Sequence, residues 1–326
     1  MEKKSVSDIV IQEICAYEIK KNAYFPFISG VIRGTGELIF TRDGFSLGIQ
    51  HTNGDFMKKI ADILRSIYNV EIEMDYTDMN FGYKKGFFYT MILPAQYATD
   101  LLERCCITKD KYTFVEIIPK KLISSNTAKR AFLQGLFLAC GFLKVPASVD
   151  DMSVKTQSGY TLNFSLNSDI VRQEIADLIE KECLLDKGTL KFKKSGNGIY
   201  IKNSESICDV LTFMGSVKGV LTLHEIISER RMRNDVNRVN NFDLANIDKS
   251  VIAGAKQVDA INRLMHTPIY DRLSQSMKDT CKMRLDYPDM SLEELAKQLT
   301  PPISKSCINH RLRKIMELAE DIEDNV

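Results

Sequence analysis

The feature that most constrains the fold is an internal repeat. Two glycine-containing apolar segments, ISGVIRGTG at 28–36 and LQGLFLACG at 133–141, align with glycines at matching places. Each copy continues with a strand pair that contains an alternating run (FSLGIQ or YTLNFSL), a helical pattern (KKIADILRSIY or RQEIADLIEKEC), a second strand pair and a closing helix. The sequence therefore predicts two αββαββα repeats that form one pseudo-symmetric α+β domain. The alternative is a pair of unrelated α+β pieces that share the same order of elements.

The glycines suggest how the two copies meet. Gly135, Ala139 and Gly141 stand among large apolar side chains, and small residues let two helix backbones approach closely. We expect one such helix from each copy to pack together at the pseudo-twofold axis. An ordinary buried core helix is the simpler interpretation, and the two are compatible.

The overall composition excludes several classes of protein. A net charge of +1 gives no general attraction to nucleic acid, so any such site needs local clustering of charge. The eight cysteines form no C-x-x-C pair and no zinc-ligand spacing, which indicates reduced thiols in the cytoplasm and no zinc site. We expect no cofactor. The N-terminus, residues 1–22, has the pattern of an amphipathic helix, not of an export signal, and no apolar run is long enough for a membrane span.

The strand patterns predict two sheet faces of opposite charge. In VEIEMDY, the side chains of Val70, Ile72 and Met74 alternate with three carboxylates, those of Glu71, Glu73 and Asp75. The equivalent strand of the second copy, TLKFKK, places Lys191 and Lys193 outward, although a solvated edge explains that pattern as well. We expect the sheets to grip DNA weakly, partially or not at all.

From about His224 the chain changes character. Residues 223–247 are rich in Arg and Asn and lack strand signals, which predicts a connector. Four arginines in this connector are candidate phosphate contacts: Arg230, Arg231, Arg233 and Arg238. A helical strut with solvated arginines is an equal alternative. From Ser250 onward the apolar period is helical, with Val251, Ala255, Val258, Ile261 and Met265 on one face, which predicts a separate all-α domain at 248–326.

Residues 288–320 carry the most specific pattern in the chain. Ser291 and Glu294 form a capping box at the start of a short helix, and Thr300-Pro301-Pro302 ends it. In the second helix, which starts near Ser304, one stripe is apolar: Ile308, Leu312, Ile315 and Ala319. No acidic residue occurs from Pro301 through Met316. A short helix, a tight turn and a longer helix with a basic outer face are typical of a helix-turn-helix.

The residue types on that outer face suit duplex DNA. Arg313 can present two parallel donors to guanine, and Asn309 can pair with adenine. Further candidates lie beside them and suit phosphates or base edges: Lys305, Ser306, His310, Arg311 and Lys314. No partner near His310 supports a catalytic role. A charged face that is merely solvated is the plainer interpretation.

The two glycine-containing segments resemble the LAGLIDADG helices of homing endonucleases. In that family an acidic residue just before the final glycine binds the divalent metals that activate water. Here those positions hold Thr35 and Cys140, neither of which is an anionic oxygen ligand, so we expect no catalytic residues and no metal site. Acidic residues nearby that could substitute are Glu37, Asp43, Asp150 and Asp151.

The chain as a whole resembles the WhiA family of Gram-positive bacterial regulators. The resemblance rests on the two degenerate LAGLIDADG-like segments and on two later segments, RVNNFDLANIDKS and PPISKSCINHRLRKI. It implies a LAGLIDADG homing-endonuclease-like domain at 23–222, with repeats at about 23–118 and 128–217, followed by a helix-turn-helix domain. It also implies a non-enzymatic transcription factor linked to sporulation, cell division or chromosome segregation. Such a protein would bind double-stranded DNA at the nucleoid, and another transcription factor or RNA polymerase is a possible partner.

An active enzyme is the alternative from another functional class. A site-specific endonuclease or RNA maturase would retain the ancestral cleavage, and Mg²⁺-dependent scission of nucleic acid would reveal it. An endonuclease-like domain that binds a protein or a small ligand is a third hypothesis, with no residues to support it.

Overall fold

The computed structural model describes residues 4–42, 44–81, 84–109, 113–146, 159–194 and 196–323. They form two compact units, which divide between Glu229 and Arg230. The predicted boundaries at 22/23, 222/223 and 247/248 remain predictions. No helix in these ranges is both long enough and apolar enough to cross a membrane. Three of the alternative acidic residues, Asp43, Asp150 and Asp151, lie outside the described residues.

The first repeat has the predicted order of elements. The N-terminal helix is α1 (Val6–Ala16), shorter than predicted, and a 3₁₀ turn at Lys21–Ala23 follows it. The repeat then runs α2 (Tyr24–Thr35), β1 (Gly36–Thr41), β2 (Gly44–His51), α3 (Gly54–Tyr68), β3 (Met74–Phe81), β4 (Lys84–Leu93) and α4 (Ala95–Arg104). Its antiparallel sheet has the strand order β1-β2-β4-β3.

The second repeat has the same topology with shorter strands. A small ladder, β5 (Thr108–Lys109) and β6 (Thr113–Phe114), precedes it. It consists of α5 (Asn126–Cys140), β7 (Gly141–Lys144), β8 (Thr161–Phe164), α6 (Asp169–Glu182), β9 (Lys191–Phe192), β10 (Ile199–Ile201) and α7 (Ser204–Met214). The strand order β7-β8-β10-β9 matches that of the first sheet. The predicted pair of αββαββα repeats is confirmed.

Helices α2 and α5 pack against each other through glycine. A Cβ atom added to Gly135 would lie 2.1 Å from the carbonyl oxygen of Phe27, and one added to Gly30 would lie 2.2 Å from that of Phe132. Only glycine allows so close an approach of two backbones. The prediction for Gly135 is therefore confirmed, whereas that for Gly141 is wrong. A Cβ on Gly141 would meet Phe137 of its own helix, because Gly141 lies at the C-terminal cap of α5.

The strand predicted in VEIEMDY begins later than expected. Strand β3 starts at Met74, so Glu71 and Glu73 precede it in an irregular segment and only Asp75 lies in the sheet. The predicted alternation of exposure nevertheless holds, since all three carboxylate residues are exposed while Ile72 and Met74 are partly buried. In the other sheet, Lys191 is exposed and Lys193 is half-buried.

The second unit is helical throughout its regular elements. These are α8 (Val217–Met265, which begins in the first unit), α9 (Pro268–Asp271), α10 (Gln275–Asp286), α11 (Leu292–Gln298) and α12 (Lys305–Glu323). The predicted connector, 223–247, lies within α8. The helix is present, but the apolar face that its period indicates is not the buried one: of those five residues only Ile261 is buried and Val258 is partly buried. Val251 and Met265 are exposed, and the residues that turn inward are Gly254, Gln257, Ala260, Ile261 and Leu264.

Candidate nucleic-acid interface

Helices α11 and α12 are held by an apolar core that the sequence predicted. Ile308, Leu312, Ile315 and Ala319 of α12 are all at most 1% exposed. They pack in one cluster with Leu295, Ala296 and Leu299 from α11 and its end. Full burial of a Leu or Ile side chain contributes about 1.5–3 kcal/mol, so this stripe fixes which face of α12 turns to solvent.

Local hydrogen bonds set the ends of the two helices. The Ser291 hydroxyl oxygen accepts from the Glu294 amide at 3.3 Å and the Ser291 amide donates to the Glu294 carboxylate at 3.0 Å, which confirms the capping box. The turn closes where the Ile303 amide donates to the Ala296 carbonyl at 3.0 Å. Ser304 Oγ accepts from the Cys307 amide at 3.2 Å and so caps α12. Short helix, turn and longer helix thus form a helix-turn-helix.

The outer face of α12 presents most of the predicted contact residues to solvent. The exposed residues are Lys305, Ser306, Asn309, His310, Arg313 and Lys314. The Arg313 side chain is 79% exposed. Both Arg313 and Lys314 lie 3.5 Å from the carboxylate of Glu317, one turn further along the helix. Exposed pairs of this kind are weak, so DNA phosphates can compete for both cations.

Arg311 differs from its neighbours. It is half-buried, and its Nη1 atom donates to the Ser276 carbonyl at 3.1 Å and lies 3.4 Å from Thr280 Oγ1, both in α10. On the helical wheel Arg311 flanks the buried stripe, a signal that sequence reasoning could have used. Its guanidinium links the outer helix to α10.

Sequence reasoning also missed the buried arginine that supports this fold. Arg284 of α10 is 3% exposed, and its Nη1 atom donates to the carbonyls of Met290 at 2.7 Å and Pro288 at 3.1 Å. Burial lowers the pKa of Arg284, because desolvation disfavours the charged form. A Cβ on Gly254 of α8 would lie 2.6 Å from the Pro288 carbonyl oxygen. The loop before α11 is therefore held by Arg284 on one side and by α8 on the other. No local sequence pattern around Arg284 predicts this role.

The four predicted phosphate contacts in the connector lie on α8. Arg231, Arg233 and Arg238 are exposed, and Arg230 is half-buried. All four belong to the second unit.

The two positions that correspond to the metal-binding acids of homing endonucleases lie at the C-terminal ends of α2 and α5. The Thr35 hydroxyl donates to the Gln50 carbonyl at 3.1 Å, and the Cys140 thiol lies 3.4 Å from the Leu136 carbonyl oxygen. Burial raises the pKa of Cys140 to about 12, so this thiol stays neutral near pH 7. A hydroxyl engaged with a backbone carbonyl and a neutral thiol do not fit a magnesium site. Of the four nearby acidic residues that could substitute as metal ligands, only Glu37 lies within the described residues, and it is exposed in β1.

Comparison with known proteins finds matches for both the helix-turn-helix and the repeat-containing part of the chain. The family model of the WhiA C-terminal HTH domain matches residues 236–319, and that of the WhiA LAGLIDADG-like domain matches residues 129–233. A "Probable cell division protein WhiA" from Clostridium tetani is 30% identical over 98% of each chain. Another protein of the same name, from Clostridium botulinum, is 29% identical over 97% of this chain and 98% of that protein.

The fold has a counterpart among solved structures. The crystal structure of full-length DUF199/WhiA from Thermatoga maritima matches 98% of this chain and 99% of that one, with a TM-score of 0.54 and 18% sequence identity. At that identity the likeness concerns the fold alone, whereas the relative from Clostridium tetani is similar in sequence along nearly its whole length. The chain therefore belongs to the WhiA family.

Proposed function

We propose that this protein is a sequence-specific, DNA-binding transcriptional regulator whose helix α12 enters the major groove. The observation that carries the proposal is the division of α12 into a buried apolar stripe and an exposed face of donors. In helix-turn-helix proteins generally, the second helix lies in the major groove and residues near its N-terminus contact the base edges. Lys305, Ser306 and Asn309 occupy the first turns of α12.

Each exposed side chain has a role that follows from its donors. Arg313 can donate two parallel hydrogen bonds to O6 and N7 of guanine, and Asn309 can pair with N6 and N7 of adenine. Lys305, Lys314 and His310 suit phosphates, which fix the register of the helix on the duplex. Ser306 can bond to a phosphate or a base edge. In this scheme Arg311 positions α12 through its bond to α10 and does not read bases.

The arginines of α8 would add contacts that do not depend on sequence. Arg233 and Arg238 are exposed and suit phosphate oxygens. Each neutralised phosphate makes the affinity depend more steeply on salt concentration, so a salt titration of the corresponding variants measures this contribution.

The biological setting follows from the relatives by analogy. Proteins named probable cell division protein WhiA are similar along almost the entire chain, so genes of cell division, chromosome segregation or sporulation are the proposed targets. The regulator would act in the cytoplasm on nucleoid DNA, with RNA polymerase or another transcription factor as a partner. The endonuclease-like domain would not cleave DNA, because Thr35 and Cys140 supply no carboxylate for a metal.

Selection of binding sites from random duplexes tests the central proposal. The full-length protein should enrich a defined motif, and Arg313→Ala should bind that motif roughly 5–150-fold more weakly and relax its preference at one guanine. Arg42→Ala, which removes an exposed arginine of the first unit, is the matched control and should bind as the unchanged protein does. An unaltered motif and affinity in Arg313→Ala would reject this assignment.

The same preparation tests whether the protein cleaves DNA. The selected duplex should stay intact with Mg²⁺ or Mn²⁺, and its scission would refute the non-enzymatic function.

A further inference from the structure

The sheet of the second repeat has a solvent-facing side with an unusual composition. Residues alternate along its strands, so one side packs on the core through Leu143, Leu162, Phe164, Ile199 and Ile201. The other side, here called the second-sheet face, carries Phe142, Lys144, Thr161, Asn163, Lys191, Lys193 and Tyr200, together with Lys202 just after β10.

The second-sheet face is strongly basic. Strands β7 to β10 contain no Asp or Glu. Four lysines belong to the face: Lys144, Lys191, Lys193 and Lys202. Two of these side chains are directed along the sheet surface by their neighbours. Lys193 Nζ donates to Asn163 Oδ1 at 3.3 Å, and Lys202 Nζ lies 5.4 Å from the centre of the Tyr200 ring. Two of the four cations therefore lie against side chains of the sheet.

Aromatic rings lie among these lysines. Phe142 is 56% exposed although it lies in a strand, and Tyr200 is half-buried. Phe142 pairs with Asn163, which pairs with Tyr200, so the three residues form one row across the sheet. The backbones that carry the two rings are therefore about 9–10 Å apart, or two strand spacings. Exposed rings beside cations are the two parts from which surfaces that bind unpaired bases are built.

The exposed side of the first sheet carries two carboxylates among its described side chains. Glu37 and Asp75 lie on one face, because Glu37 pairs with Gly48, Gly48 with Ile92, and Asp75 with Thr90, two residues before Ile92. Both carboxylates are exposed. A duplex in contact with both sheets would meet these carboxylates, whereas a strand confined to the second sheet would not.

We propose that the second-sheet face binds single-stranded nucleic acid, with its phosphates on the lysines and its bases stacked on Phe142 and Tyr200. Stacking needs the flat face of an unpaired base, which a duplex does not offer, and it tolerates any base. This activity goes beyond the proposed function, since it uses another compact unit and a different form of nucleic acid. Single-stranded DNA and single-stranded RNA share the chemistry that the face recognises.

Fluorescence anisotropy with the full-length protein and short labelled oligo(dT) or oligo(U) tests the proposal. Binding of either oligomer is expected, and the better-bound one shows whether the face prefers single-stranded DNA or single-stranded RNA. The double substitution Phe142→Leu with Tyr200→Leu should weaken binding by roughly tenfold or more. Lys191→Gln should reduce the slope of log affinity against log salt by about 0.7, the value for one phosphate of a single strand.

Matched controls separate this face from the rest of the protein. Phe40→Leu removes a ring that is 78% exposed in the first sheet, and Lys120→Gln removes an exposed lysine elsewhere in the first unit. Neither should alter oligomer binding. Circular dichroism and an unchanged melting temperature of the first unit show that the doubly substituted protein is folded.

The test also distinguishes this proposal from the helix-turn-helix function. Arg313→Ala should lose duplex affinity and keep oligomer affinity, and the double substitution of the rings should do the reverse. The proposal is overturned if neither oligomer binds, if the double substitution leaves binding unchanged, or if Arg313→Ala abolishes it.

Discussion

Replacing Gly135 by alanine should destabilise the first unit more than any exposed substitution of the same size. The new Cβ would lie 2.1 Å from the Phe27 carbonyl oxygen and 3.0 Å from the carbon of that group. An ordinary contact between carbon and a carbonyl oxygen is about 3.3 Å or longer, so the helices must separate by roughly 1 Å. The obstacle is backbone, which cannot rotate away as a side chain can.

The cost can be estimated from overpacking elsewhere. Forcing extra carbon into a close-packed core costs about 1–3 kcal/mol, and a fixed backbone obstacle places Gly135→Ala at the upper end. For a unit of this size, 1 kcal/mol shifts the melting temperature by about 2–4 °C. We therefore expect the first unit to melt roughly 6–12 °C lower, measured by differential scanning calorimetry of the full-length protein.

The matched control is Gly86→Ala in β4. A Cβ on Gly86 would have no heavy atom within 4 Å, so this change should alter stability by less than about 1 kcal/mol in either direction. Equal melting temperatures for the two variants would refute the argument that direct contact between the α2 and α5 backbones holds the repeats together.

Other predictions concern charge and titration. Glu317→Gln should raise duplex affinity roughly two- to fivefold at low salt, because it releases Arg313 and Lys314 from a carboxylate 3.5 Å away; fluorescence anisotropy checks this, and a decrease would contradict it. Arg311→Ala should lower the free energy of unfolding by about 1 kcal/mol through loss of its bond to α10, whereas Arg313→Ala should change it by less than about 0.5 kcal/mol; chemical denaturation distinguishes the two. The pKa of Cys140 is raised from 9.0 to about 12, so its contribution to stability is complete below pH 9 and is lost as pH rises from 9 toward 12. Cys140→Ala should flatten the alkaline decline in the free energy of unfolding, and an unchanged decline would show that the thiol titrates normally.

Much of the helix-turn-helix was predictable because its signals are local. A capping box, a proline pair and a stripe at helical spacing each lie within a few residues of the chain, so Ser291, Glu294 and Ile308 have the roles that the sequence predicts. Arg284 could not be recognised in the same way. Its partners are the carbonyls of Pro288 and Met290, and a carbonyl carries no sequence signature.

The sequence predicts the repeat, but it predicts the charge distribution of the two sheets only in part. Lys191 and Lys193 were recognised in a strand pattern, whereas Phe142, Lys144 and Tyr200 came from different parts of the second copy. Their common face depends on the pairing of β7 with β8 and of β8 with β10. Register between strands is a tertiary property, because shifting one strand by one residue would turn its side chains to the opposite side.

The sequence by itself determined the order of helices and strands, the two copies and the apolar stripe of α12, since periodicity and capping act between near neighbours in the chain. Only the tertiary structure decided that Gly30 and Gly135 face the backbones of Phe132 and Phe27, that Arg311 bonds to α10, and that the buried face of α8 runs through Gly254 and Ala260. Those contacts join residues far apart in the chain. The geometry of these contacts depends on how whole helices pack, and no local sequence pattern predicts it.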